Sequence, residues 1–207
     1  MQNDQAHWDK VYLTRQPNEL SWTQKNPAIS LEFIRHLNLP KSSGIIDIGG
    51  GDSPLVDYLI NDGFEDITVL DISEYALDRA KRRMGIKAKS VHWELTDITE
   101  FKPARHYDFW HDRATFHFLN QPEQISKYLD IAGRCVDQYL IIGTFSEQGP
   151  DKCSGLPVMK YSVDLLEKQF SKNFIKLNCI NEDHRTPFDT KQNFLFCSFK
   201  RNLSCFQ

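Results

Sequence analysis

The sequence predicts a doubly wound α/β domain, a mostly parallel sheet with helices on both faces. Three observations carry this reading. Short apolar runs alternate with amphipathic segments between residues 44 and 145, as parallel strands joined by crossover helices require. The stretch 44–54, G-I-I-D-I-G-G-G-D-S-P, joins a buried-strand run to a glycine turn and a helix start. The chain closes with two strand-like runs separated by too few residues for a helix, so these pair antiparallel.

Taken in order, residues 4–13 read as a short helix with Trp8 and Tyr12 on one face. Pro27 opens a second helix reaching residue 37, apolar at Ile29, Phe33 and Leu37, and Pro40 closes it. The first strand is 44–48. Its helix spans 53–62, capped by Asp52 or Ser53, with Pro54 in the first turn and Gly63 past the end. Strand two is 67–71, and the helix 73–84 has Ser73 as its cap. Strands three and four lie near 89–94 and at 107–111. A helix at 122–134 and strand five at 138–145 follow. A helix at 162–170 precedes the last two strands, 174–180 and 194–200, with His184 and Arg185 in the turn between them. The expectation is one domain over 1–207, in which 1–40 is a helical lid arm and 41–207 the cofactor-binding core.

Composition narrows the class. A net charge of −3 over 207 residues argues against a nucleic-acid binder. No apolar run approaches about 18 residues, so no membrane span is expected. The first residues lack the basic flank and apolar segment of a signal peptide. The five cysteines, Cys135, Cys153, Cys179, Cys197 and Cys205, form no C-x-x-C pair and are odd in number. Neither a zinc site nor a disulfide framework is expected, only reduced thiols in a cytoplasm.

The chemistry centres on Gly49, Gly50 and Gly51. A glycine turn before a helix lets a ligand approach backbone N–H groups that no Cβ shields. Asp71 ends strand two about 20 residues downstream, where a carboxylate accepts from ribose hydroxyls. A dinucleotide fingerprint needs a third glycine where Pro54 stands. Asp47 and Asp52 would repel a pyrophosphate but suit an ammonium group. That favours S-adenosylmethionine over a nicotinamide dinucleotide. The alternatives are a nicotinamide-dependent oxidoreductase and a binding protein that keeps the pocket without catalysis.

On these residues the chain resembles the class I S-adenosylmethionine-dependent methyltransferases, through D-I-G-G-G, Asp71, T-D-I with Asp97, and the terminal hairpin. It resembles a small single-domain group within them through H-W-D-K-V-Y at 7–12, L-S-W at 20–22, W-H-D-R-A-T-F-H-F-L at 110–119, K-C-S-G-L-P-V at 152–158 and H-R-T-P-F at 184–188. The resemblance implies a seven-stranded sheet of order 3-2-1-4-5-7-6. It implies methyl transfer from S-adenosylmethionine to a small-molecule or protein acceptor. Cofactor contacts are then expected from Trp8, Tyr12, Trp22, Asp47, Gly49, Gly50, Gly51, Ser53, Asp71, Ile72, Asp97, Ile98, His111 and Asp112. Asp97 would accept from the adenine amino group. His111, Asp112 and His184 are the candidates for catalysis, and no metal ligand is expected. Trp8, Tyr12 and Trp22 are expected to close over the methyl group, since aromatic faces attract a sulfonium.

Overall fold

A computed structural model describes residues 2–203, with side chains from residue 5 onward. Cys205 lies outside the described residues. The sheet is built from seven strands: β1 (Gly44–Ile48), β2 (Asp66–Asp71), β3 (Val91–Leu95), β4 (Tyr107–Arg113), β5 (Val136–Phe145), β6 (Phe174–Arg185) and β7 (Lys191–Arg201). A two-residue ladder, Lys152–Cys153 with Leu156–Pro157, stands apart from this count. The strands lie in the order β3-β2-β1-β4-β5-β7-β6, as expected. β1 to β5 run parallel, and β7 is antiparallel to both β5 and β6.

The helices are α1 (Gln2–Thr14), α2 (Ala28–His36), α3 (Leu55–Asn61), α4 (Glu74–Met84), α5 (Pro122–Cys135) and α6 (Val163–Phe170). Local chemistry sets their ends. The Ser73 and Ser162 side chains accept from the N–H groups of Ala76 and Leu165. Pro122 takes the first position of α5. Lys81, Arg82 and Arg83 face the negative end of α4. Among the described residues no helix is long and apolar enough to cross a membrane.

β1 is buried along its whole length, because helices cover both faces of the sheet. Alternation sorts its side chains. Ile46 and Ile48 join the core under α5 and α6, with Trp110, Tyr128 and Phe170. Ile45 faces the opposite core, with Leu31, Leu59 and Phe109. A third cluster fastens the N-terminal segment, in which Val11, Tyr12 and Leu20 pack on Ala76 of α4.

Two expectations are corrected. The terminal strands are longer than their apolar runs, so His184 and Arg185 end β6 instead of sitting in the turn, which is only 186–190. Polar and charged side chains suit this half-exposed edge strand, which hides its length from a hydrophobicity reading. Nor are all thiols reduced. Cys179 and Cys197 face each other across β6 and β7, with Cα atoms 4.2 Å apart, and form a disulfide. Spacing alone hides such a pair, because only the hairpin register brings its members together. Cys135 and Cys153 are free and buried.

The disulfide closes a loop between positions 18 apart. Its reduction is expected to lower the unfolding free energy by about 2–4 kcal/mol. Thermal melts with and without dithiothreitol check this: the unmodified protein shifts downward on reduction, whereas Cys179→Ser does not respond.

Candidate active site

The carboxyl ends of β1, β2, β3 and β4 open onto the site. The turn after β1 leaves no room for side chains. Gly49 and Gly51 have φ of +62° and +51°. A Cβ on Gly49 would fall 1.8 Å from Thr115 Oγ1, and one on Gly50 2.7 Å from an Asp47 oxygen. One on Gly51 would meet Tyr12 Oη at 2.8 Å. The glycines therefore hold the turn flat beneath Tyr12 and Asp71.

Two cavities flank the turn. The first, about 210 Å³, runs from Asp71, Ile72, Asp97 and Ile98 to Trp8, Phe118 and Leu156. The second, about 300 Å³, is bordered by Asp47, Ser53 and His111. Tyr12, Trp22, Gly49 and Arg113 line both.

Asp71 accepts from Ser73 N–H at 2.8 Å and keeps an oxygen toward Tyr12 and Gly51. Burial, with the nearby charges of Asp52 and Asp47, raises its carboxyl to about 7. Asp97 Oδ1 accepts from Thr99 N–H and its hydroxyl, at 2.7 and 2.8 Å, which fixes the side chain at the cavity wall. Asp47, Asp52 and Asp71 together make the site favour positive charge.

The three candidates for catalysis do not converge. His111 stands beside Asp47 in the β1–β4 register. One ring nitrogen pairs with Asp47 Oδ1 at 2.7 Å and the other with Ser30 Oγ at 2.8 Å. Asp112, the next residue along the strand, faces the other core. There it accepts from Tyr128 Oη at 2.7 Å and from the N–H groups of Thr115 and Phe116. It lines neither cavity, and its hydrogen bonds shape the turn that carries Thr115 against Gly49. His184 donates from Nε2 to the Ser21 carbonyl at 2.8 Å, behind the cavity wall. Burial and then the charge of Arg113 lower its pKa. His117 is fully buried: Nδ1 accepts from Phe145 N–H, and burial lowers it to about 3.

The aromatic arm divides. Tyr12, at 6% exposure, is part of the core yet lines both cavities, as Trp22 does, whereas Trp8 lines only the first. Trp8 meets Trp22 and Phe118 edge-on, with ring centroids 5.6 and 5.0 Å apart. Ser30 pairs with a histidine 81 positions away, a distance that no spacing pattern in the sequence reports. Arg113 and Phe118 were readable only as neighbours within the 110–119 segment.

The Asp71 shift has a direct consequence. Its folded pKa lies above the usual carboxylate range, so its ionisation opposes folding. The stability it contributes to the ligand-free protein is present at low pH and lost as pH rises through about 7. A ribose hydroxyl is best accepted by the ionised form. S-adenosylhomocysteine affinity is therefore expected to rise severalfold between about pH 6 and about pH 8, and to be weak and pH-flat in Asp71→Asn. Titration calorimetry across that range checks it; a flat profile in the unmodified protein would remove Asp71 from the ribose.

Comparisons with known proteins agree with this geometry. Residues 45–137 match the family described as "Methyltransferase domain". A curated relative, malonyl-[acyl-carrier protein] O-methyltransferase 2 of Ilyobacter polytropus, is 27% identical over 168 residues, covering 78% of this chain and 60% of its own length. The chain thus spans under two thirds of that relative. Among solved structures, a protein from work on conversion of a disulfide bond into a thioacetal group during echinomycin biosynthesis superposes with a TM-score of 0.78 at 17% identity. That match covers 96% of this chain and 93% of the other. The N-methyltransferase NodS of Bradyrhizobium japonicum WM9, in complex with S-adenosylhomocysteine, gives 0.67 at 16% identity, covering 93% and 95%. At these identities the two structures establish the fold. Residues 45–137, which hold the glycine turn and the acids at the ends of β2 and β3, are thus similar to the methyltransferase domain family, and the chain shares the fold of the solved N-methyltransferase.

Proposed function

We propose that this chain transfers a methyl group from S-adenosylmethionine to an acceptor held between Trp8, Trp22 and Phe118. The observation that carries the reading is the continuity of the first cavity, from Asp71 and Asp97 past the glycine turn to the aromatic residues. The residues present fit the cofactor. Asp71 suits the ribose, Asp97 and Ile98 the adenine, and Gly49 with Asp47 the amino-acid end. When bound, the cofactor supplies a methyl group already activated on a sulfonium, which accepts the electron pair as a neutral thioether leaves.

The chain's own part is then alignment and exclusion of water. No histidine or lysine lines the first cavity among the described residues. Its Tyr12 hydroxyl is held well above its usual pKa by burial and then Asp71, and burial pushes the Cys153 thiol to about 11. Neither group is a base near neutral pH, and this reading commits the two carboxylates of the lining, Asp71 and Asp97, to the ribose and the adenine. The acceptor atom therefore enters with its lone pair already free, and the aromatic walls hold it in line. His111 and Asp112 act as positioning residues for the turns on either side. The acceptor is a small molecule or a protein side chain.

Incubation of cell extract with the protein and a methyl-labelled donor tests the reading, by showing whether label enters small molecules or protein. No labelling with any fraction, despite tight S-adenosylhomocysteine binding, would leave a binding protein. Trp8→Ala is expected to lower labelling by about tenfold or more, with S-adenosylhomocysteine affinity within about threefold. Trp8→Phe should keep most activity. Equal losses in labelling and affinity would place Trp8 on the cofactor alone.

A further inference from the structure

We propose that Arg113 is the recognition point for a carboxylate on the methyl acceptor, which enters the aromatic end of the first cavity with its charge toward the guanidinium. The proposal rests on the transfer reading above. Arg113 closes β4 and lines both cavities. Its hydrogen bonding is incomplete. Nη1 donates to the Trp22 carbonyl at 3.0 Å, while Nε and Nη2 are buried with no partner. The guanidinium carbon lies 4.7 Å from the Phe194 ring centroid, so an aromatic face supports one side.

Two carboxylates act on this cation only through their field, Glu182 and then Asp47. Asp47 is already bonded to His111, and a Glu182 oxygen is itself buried without a partner. Burial lowers the guanidinium to about 10. Orphaned buried donors on a charged group are costly, and a carboxylate matches them in both charge and fork geometry. Arg113 is the only cationic side chain lining this cavity among the described residues. Asp71 and Asp97, on β2 and after β3, repel an anion from the other end. The same cavity is lined by Trp8, Phe118, Leu156 and Pro157, which select an apolar or aromatic body behind the carboxylate. A two-point contact with Nε and Nη2 leaves the Nη1 bond to the Trp22 carbonyl in place.

A carboxylate also ends the amino-acid part of the cofactor, and the test separates the two sources. Phenylacetate and its neutral counterpart phenylacetamide are titrated into the full chain saturated with S-adenosylhomocysteine. Phenylacetate is expected to bind about tenfold more tightly or better. Arg113→Gln should erase that difference while S-adenosylhomocysteine affinity stays within about threefold. Equal binding of the two probes to the unmodified protein, or none, overturns the proposal without needing any variant. So does a variant that loses affinity for S-adenosylhomocysteine but not for 5′-methylthioadenosine, which lacks the carboxylate; Arg113 would then serve the cofactor. If the unmodified chain fails to bind S-adenosylhomocysteine, the transfer reading itself falls, and this proposal with it.

Discussion

β1 and β4 lie side by side in parallel, with Asp47 beside His111, and a buried hydrogen-bonded chain runs from Asp47 through His111 to Ser30 on α2. All three residues are nearly sealed from water, at 3%, 3% and 1% exposure. Such a network is stable only when each member is satisfied. The glycine turn starts directly after β1, so the same network fixes the height at which the turn leaves the sheet. It also ties α2 to the sheet centre, and with it the segment that carries Trp22 toward the cavities.

Alternation along β4 then distributes the work. His111 and Asp112 are neighbours in sequence yet belong to different cores, and each shapes a different wall. Asp112, held by Tyr128, sets the turn in which Thr115 presses on Gly49 and donates to the Ile48 carbonyl at 3.2 Å. Trp110 extends this second network by donating to Tyr128 at 2.8 Å. The two buried acids of β1 and β4 thus organise the site without reaching into it from the same side. Proton transfer is absent from the proposed chemistry for that reason: the titratable groups nearest the turn are committed to architecture.

The fold was legible because it depends on local signals. The apolar run at 45–48, the glycines after it, the serine caps and the strand–helix alternation each report on their own neighbourhood. Asp71 and Asp97 were legible because their place follows from strand ends. Asp112 and His111 were readable as residues at the end of β4, but their hydrogen-bond partners were not. Their partners, Tyr128 and Ser30, lie 16 and 81 positions away, and no spacing rule links them. The disulfide escaped for a related reason, since it depends on the register of a hairpin whose strands outrun their apolar runs. The isolation of Arg113 is a property of three dimensions alone.

The N-terminal segment is fastened to the core mainly through contacts remote in sequence. Ser73 Oγ donates to Asp9, Arg79 to the carbonyls of Tyr12 and Arg15, Arg113 to that of Trp22, and His184 to that of Ser21, with separations from 64 to 163 positions. Contacts of such range carry a large loop-closure cost, which the packing of Val11, Tyr12 and Leu20 on α4 helps to offset. Most of its acceptors are backbone carbonyls, which makes the docking depend on chain path more than on side-chain identity at Ser21 or Trp22. Replacing the Ser21 side chain therefore leaves its bond to His184 in place, whereas a change that redirects the backbone there removes it.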